Sequence, residues 1–284
     1  MTYACNDFAV KKHSDKFFFI KGDISDEVFV DKLFEIGQFD IVVNFAAESH
    51  VDNSIKSSHT FYISNVLGVQ VLLDACRKYG IKRFHQVSTD EVYGDVEIND
   101  DFKFNEKSIL NPSNPYSASK AASDLMVLAY YRTYNIPVSI SRCTNNYGLY
   151  QHFEKFIPTI IINANNKSSI PVYGDGKNIR NWIHVEDHCK AIDVILHQGK
   201  IGEIYNIGSE EYISNIDLVK YILIKMGLND NYIKYVTDRP GHDRKYSIDY
   251  TKIQSELEWS PVKNIKNEIN TLISYYANKE NFLD

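Results

Sequence analysis

Two short stretches carry side chains whose types and spacing suit chemistry. In "STDEVYG", residues 88–94, Asp90 and Glu91 stand side by side behind Thr89, directly after the apolar run 83–87. Adjacent carboxyl groups suit a reaction that needs one acid and one base on neighbouring atoms. In "YSASK", Tyr116 and Lys120 are four residues apart and so share one face of a helix. An ammonium beside a phenol favours the phenolate and lowers a pKa that starts near about 10. Such a tyrosine can take the proton from a hydroxyl while that carbon is oxidised. Each stretch also has a plainer reading. The acids could cap the next segment, and Tyr and Lys four apart often form only a solvated helix face. A regular strand points successive side chains to opposite faces, so both acids can meet one substrate only if the strand ends and the chain turns at residue 90.

The elements around these residues favour the chemical reading. "KFFFIKGDI", "FDIVVNFAA", "RFHQVS" and "IPVSISR" read as strands. "DEVFVDKLFEIG" has helical spacing with Gly37 as its C-cap, "NVLGVQVLLDACRKYG" is a helix closed by Gly80, and Tyr116 to Tyr134 is a third helix. Strand–helix repetition means parallel strands with crossover helices, hence a doubly wound α/β sheet. Ligands of such sheets sit beyond the carboxyl ends of the strands, where Asp90 and Glu91 fall. "RNWIHVEDHCKAIDVIL" reads as a further strand–helix unit that rejoins the sheet. The rhythm loosens after Asn146. The expected division is a sheet domain of residues 1–146 plus about 177–204, and a smaller α/β lobe of about 147–176 plus 205–284. The polar loop between Asp95 and Pro115 is long, as loops that serve a site often are.

Composition narrows the function classes. The 284 residues are 44% hydrophobic and carry a formal net charge of -6. Without a basic surface, nucleic-acid binding is not expected. No apolar run approaches the roughly 20 residues needed to cross a bilayer, and "MTYACNDFAV" lacks the pattern of a secretory leader. Cys5, Cys76, Cys143 and Cys189 are far apart. That fits reduced thiols in the cytoplasm and argues against a metal site or a disulfide framework.

"FAAESHVD", "STDEVYG", "NPYSASK", "NNYG", "PVYGDG" and "DRPGHDRKYSID" occur here in an order that resembles the dTDP-glucose 4,6-dehydratases, members of the extended short-chain dehydrogenase/reductases. The resemblance runs from about Thr2 to the C-terminal helix. It implies a Rossmann-like NAD-binding sheet, a nucleotide-sugar lobe, and a homodimer built on helices near 60–79 and 116–134. It also implies a mechanism. Tyr116, helped by Lys120 and Thr89, deprotonates the C4 hydroxyl of the sugar as hydride passes to NAD. Glu91 takes the acidified C5 proton, Asp90 protonates the departing C6 hydroxyl, and the hydride returns to C6.

Further positions carry over from the same resemblance. On the cofactor side these are Asp23 and Ile24 at the adenine, the segment Phe45, Ala46, Ala47, Glu48 and Ser49 along the cofactor, and Ser88 and Asn146. Tyr116 and Lys120 meet the nicotinamide ribose. On the substrate side, Arg180, Arg239 and His242 are matched to the diphosphate, where guanidinium forks suit phosphate oxygens. Ser49, His50 and Thr89 lie at the sugar, and Asn145, Lys155, Phe156, Pro171, Tyr173 and Asn215 complete the set. For Asp23 a turn or helix-cap role is the plain alternative.

The chain departs from the family pattern in places. Phe153 stands where proline is usual, and Asn181 where aspartate is common. No GxGxxG-like stretch occurs in the sequence, and "TYACN" resembles the segment just after the family's second strand. A strand, glycine turn and helix on the order of 40 residues long are thus expected to be absent from this chain, with weak NAD binding and little turnover as the consequence. Three other activities are weighed against dehydration of dTDP-glucose. They are dehydration of UDP-glucose, decarboxylation of UDP-glucuronate, where "TSE" replaces "TDE", and nucleotide-sugar binding without turnover.

Overall fold

The computed structural model describes residues 16–278. The expectation for "TYACN" lies outside them. Lys16–Ile24, read above as a strand, joins no ladder among the described residues. Only Ile24 at its end packs against a core cluster; Phe18 is 84% exposed and Ile20 56%. Apolar content favours a strand only where a neighbouring strand can take its backbone groups.

The first helix, α1 (Glu27–Gly37), is capped by Asp26, whose side chain accepts from the Phe29 N–H at 3.0 Å. Its left-handed C-cap is Gln38 rather than Gly37. Gly37 lies under the Phe39 ring, where a Cβ would come within 2.2 Å and move the ring aside. Then come β1 (Ile41–Asn44), the short helices α2 (Val51–Lys56) and α3 (His59–Tyr62), a π-helical segment (Ile63–Leu67), and α4 (Gly68–Tyr79). Gly80 closes α4 at φ 65°, as expected.

A four-stranded parallel sheet is built in the order β1, β2 (Arg83–Thr89), β3 (Val138–Cys143) and β7 (Ile204–Ile207). Between β2 and β3 runs α5 (Pro115–Tyr134), started by Pro115 and by a reciprocal cap between Asn114 and Ser117. Parallel neighbours need such crossovers. One face of the sheet sends Phe84, Val138 and Ile140 against Phe34 of α1, Leu73 of α4 and Val127 of α5. The other sends Cys143, Tyr205 and Ile207 against α7 (Val185–Gln198) and α9 (Thr251–Leu257). Full burial of side chains such as Phe84 and Ile140 contributes about 1.5–3 kcal/mol each. With helices on both faces, the doubly wound α/β reading holds.

Two smaller sheets form the second lobe. In one, β6 (Ile179–His184) lies between β4 (Asn145–Tyr147), parallel to it, and β8 (Tyr212–Ser214), antiparallel. In the other, β5 (Ile170–Tyr173) pairs with β9 (Ile233–Val236). Their core joins Ile160 and Ile161 of α6 (Phe156–Asn165), Leu218 and Ile222 of α8 (Asn215–Lys225), and Ile269 of α10 (Ile265–Ala277). The strand at 179–184 therefore does not rejoin the parallel sheet. The chain does so at β7, so the boundary expected near residue 204 falls inside a strand. Polar Arg180 and Asn181 mark β6 as a strand whose side chains reach across to Asp243 and Ser209, not as one buried between helices. Among the described residues no helix is long and apolar enough to cross a membrane.

Candidate active site

Strand β2 ends at Thr89, and Asp90–Tyr93 form one turn of 3-10 helix. Thr89 is the hinge: its hydroxyl accepts from the Glu91 N–H and donates to Asp90 Oδ1, both at 3.3 Å. The tight turn breaks strand alternation, and both carboxyl groups act on the same phenol, that of Tyr116. Asp90 is 3% exposed, and its Oδ2 has no hydrogen-bond partner. Burial, then the neighbouring Glu91, push its carboxyl well above the usual range. Burial also raises Glu91, but Arg180 and Arg239 pull it back toward the carboxylate. Both acids thus hold a proton more readily than exposed carboxyl groups do.

A tyrosine that the sequence did not single out completes this cluster. The Tyr246 hydroxyl lies 2.8 Å from Asp243 Oδ2 and 3.4 Å from Glu91 Oε2. The Arg180 guanidinium stacks on the Tyr246 ring at 4.1 Å and donates to the carbonyls of Ile179 and Asp243. Tyr246 stands within the quoted "DRPGHDRKYSID", but nothing in local periodicity pointed it at a carboxylate 155 residues away.

Tyr116 and Lys120 lie in the first turns of α5, both buried. The Thr89 hydroxyl is within hydrogen-bonding reach of the Tyr116 phenol. One expectation needs correction. Burial, followed by the charges of Glu91 and Cys143, pushes the phenol well above 10 instead of lowering it. Lys120 Nζ donates to the Val87 carbonyl at 2.7 Å, and burial lowers its own value. Four-residue spacing put both groups on one helix face, but the depth of that face decides the sign of the shift. Asp124, one turn further along α5, is the largest influence favouring the charged lysine.

The residues matched to a cofactor cluster at the carboxyl ends of the strands. After β1, Ala46 N–H donates to Asn44 Oδ1, and Phe45 is 59% exposed. Glu48 is held at both backbone groups by Asn65, whose amide also donates to Ser119 Oγ of α5. Asn65 reaches there from the π-helical segment Ile63–Leu67. Ser88 is buried with an unpartnered hydroxyl. Asn146 bonds Thr144 O and the His188 ring. Asp23 accepts twice from Ser25, which lowers its pKa, and Ile24 packs over Gly68. The turn role weighed for Asp23 is thus present in the structure.

An open cleft of about 330 Å³ lies beside the Glu91–Tyr246 cluster, with Glu91 and Arg180 in its wall. It gathers Ser49, His50, Asn145, Lys155, Phe156, Pro171, Tyr173, Arg180, Asn215, Arg239 and His242, with Glu91 at its inner end. Thr89 does not line it. Asp52, Glu154, Thr159 and Trp182 do, and sequence reasoning missed them. Asp52 holds Arg239 Nη1 at 3.4 Å and accepts from the Tyr173 hydroxyl at 3.1 Å. Lys155 Nζ donates to Ser49 Oγ at 3.3 Å. Burial, with Arg239 nearby, pushes His242 down to about 4, so it meets a ligand as a neutral ring bonded to Asp238. Two guanidinium groups and a lysine thus share one cleft with Glu91.

Comparison with known proteins agrees with this geometry. The profile of the family described as GDP-mannose 4,6 dehydratase matches residues 4–272. The dTDP-glucose 4,6-dehydratase of Streptomyces niveus is 45% identical over 243 residues, covering 86% of this chain and 71% of that protein. The chain belongs to the dTDP-glucose 4,6-dehydratase family. Another relative, the low-salt glycan biosynthesis protein Agl12 of Haloferax volcanii, is 48% identical over 258 residues, 91% of this chain and 81% of that protein. Among solved structures, DesIV, the dTDP-glucose 4,6-dehydratase of Streptomyces venezuelae, crystallised with NAD bound, superposes with a TM-score of 0.93 at 41% identity, covering 99% of this chain and 86% of that one. Within the family framework, the adjacent acids of "STDEVYG" fall on the turn that succeeds β2 and the "YSASK" pair at the start of α5.

Proposed function

We propose that the protein dehydrates dTDP-glucose to dTDP-4-dehydro-6-deoxyglucose with NAD bound at the carboxyl ends of the parallel strands. The observation that carries this reading is the turn at 90–93, which sets two adjacent carboxyl groups, both raised by burial, at the buried Tyr116 phenol. Elimination of water across two adjacent carbons needs that pairing. The buried Ser88 hydroxyl, unpartnered among the described residues, and Lys120, both at the end of β2, are groups that would meet NAD there. Bound there, the nicotinamide supplies a hydride acceptor for C4 and afterwards a hydride donor for C6.

The chain's own groups do the rest. Thr89 and Tyr116 would take the C4 hydroxyl proton, which requires positive charge in the occupied site, Lys120 included, to offset the burial that raises the phenol. Glu91 removes the C5 proton made acidic by the C4 ketone. Asp90 gives its proton to the C6 hydroxyl, which leaves as water. Arg180, Arg239 and the neutral His242 hold the diphosphate, with Asp52 yielding Arg239 to it. The sheet domain and the smaller lobe form the two walls, and pairing of two copies through α4 and α5 and a cytoplasmic setting complete the reading. The test is incubation with dTDP-glucose and catalytic NAD, with the sugar identified by mass and NMR. Loss of one water and a C4 ketone support the proposal. A C4 epimer, or preference for UDP-glucuronate with loss of carbon dioxide, overturns it.

A further inference from the structure

The quoted "STDEVYG" contains a tyrosine to which the mechanism gives no task. Tyr93 closes the 3-10 turn that carries Asp90 and Glu91, and it is 1% exposed. Its hydroxyl donates to Asn206 Oδ1 of β7 at 2.8 Å and accepts from Arg142 Nη1 of β3 at 2.9 Å. The same guanidinium donates through Nε to Asp124 Oδ2 at 2.8 Å. Asp124 belongs to α5, one turn beyond Lys120. Arg142 is therefore a rigid fork with one prong on the turn of the elimination pair and the other on the helix of the oxidation pair.

We propose that Tyr93, Arg142 and Asp124 are positioning residues that fix Asp90 and Glu91 relative to Tyr116 and Lys120. This rests on the dehydratase reading. Arg142 is 2% exposed and Asp124 is 0%. A buried ion pair of this kind is commonly no more stabilising than apolar side chains of similar volume, so stability alone does not account for it. Apolar packing would also leave the turn free to shift, whereas three directed hydrogen bonds define its distance and rotation. The guanidinium 4.8 Å from the Tyr93 ring and Phe104 stacked on it at 5.4 Å hold the ring itself. The two half-reactions act on adjacent sugar carbons, so the turn and the helix must keep a fixed separation. Displacement by about 1 Å can cost about 100-fold in rate.

The experiment compares the two steps in the full-length protein with dTDP-glucose and NAD. Tyr93→Phe keeps the ring and removes only the hydroxyl. Rapid-mixing measurement of reduced nicotinamide reports C4 oxidation, and quenched-flow mass analysis reports water loss. The expected result is oxidation within about 3-fold of wild type, elimination slowed by about 10- to 100-fold, unchanged KM, and accumulation of the 4-keto sugar with its C6 hydroxyl intact. Arg142→Lys keeps the charge beside Asp124 but loses the fork. It is expected to shift the same ratio, and the double variant is expected to be no worse than either single one. If Tyr93→Phe does not fold, the ratio in Arg142→Lys decides. Parallel loss of both steps, an unchanged ratio, or additive penalties overturn the inference while the dehydratase reading stands. A wild-type protein that does not oxidise C4 overturns that reading and this inference with it.

Discussion

Replacing Asp90 with asparagine keeps its shape and removes its proton. The carboxyl is 3% exposed, with one 3.3 Å bond from Thr89 and an unpartnered Oδ2. Burial first and Glu91 second hold it well above its ordinary 3.8. A folded-state value raised above the unfolded one means that the folded chain keeps a proton the unfolded chain releases. Stability contributed this way is greatest at low pH and falls as pH rises from about 4 toward the folded value. One proton sets the largest slope at about 1.4 kcal/mol per pH unit. Asparagine has no such slope, so the unfolding free energy of Asp90→Asn gains on wild type by up to about 1.4 kcal/mol per pH unit above about pH 4. The same change slows elimination by about 10²–10⁴-fold, which is about 2.7–5.5 kcal/mol on the barrier. Urea unfolding of both proteins across a pH series measures the first effect, and single-turnover water loss the second. A stability difference that stays flat with pH refutes the assignment of Asp90 as a buried, protonated acid.

Glu91→Gln is expected to leave C4 oxidation intact while slowing exchange of the C5 hydrogen with solvent deuterium by about 10²–10⁴-fold; rapid exchange in the variant would remove Glu91 from the role of base. Tyr116→Phe removes the group that accepts the C4 proton, so reduced nicotinamide should no longer form on mixing, although dTDP still binds in calorimetry. Arg239→Gln breaks a charge-assisted contact of about 1.5–3 kcal/mol and is expected to weaken dTDP binding by about 10- to 100-fold, and an unchanged dissociation constant would place the diphosphate elsewhere. The pH profile of kcat should fall on the alkaline side as Asp90 gives up its proton and on the acid side as Glu91 gains one, both values lying above the ordinary range. A profile that keeps its alkaline limb unchanged in Asp90→Asn would assign that limb to another group.

Much of the site was legible because its groups lie in short local words. Asp90 and Glu91 needed only a turn after the strand, and Thr89 supplies it by capping Glu91. Eleven of the residues matched to substrate on motif order line one cleft, although they come from segments scattered between Ser49 and His242. What escaped the sequence depends on depth and on distant partners. The sign of the Tyr116 shift comes from burial, which a four-residue spacing does not report. Tyr246 meets Glu91 across the gap between lobes. Lys16–Ile24 has a strand's composition but no strand partner among the described residues, and β6 has a buried strand's length but pairs outside the four-stranded sheet.

The π-helical segment at Ile63–Leu67 has a consequence for how this chain can change. Its wide turn aims the Asn65 carboxamide inward to hold Glu48 by both backbone groups and to reach Ser119. An ordinary helix advances about 100° per residue. Gaining or losing a single residue between His59 and Asn65 would swing that carboxamide off the 45–49 loop and leave two backbone groups without partners. The stretch is therefore a counted length, tolerant of substitution along its outer side yet intolerant of insertion. Natural variation here should take the form of exchanges and not of gaps, even though the segment touches neither the sugar nor the acids.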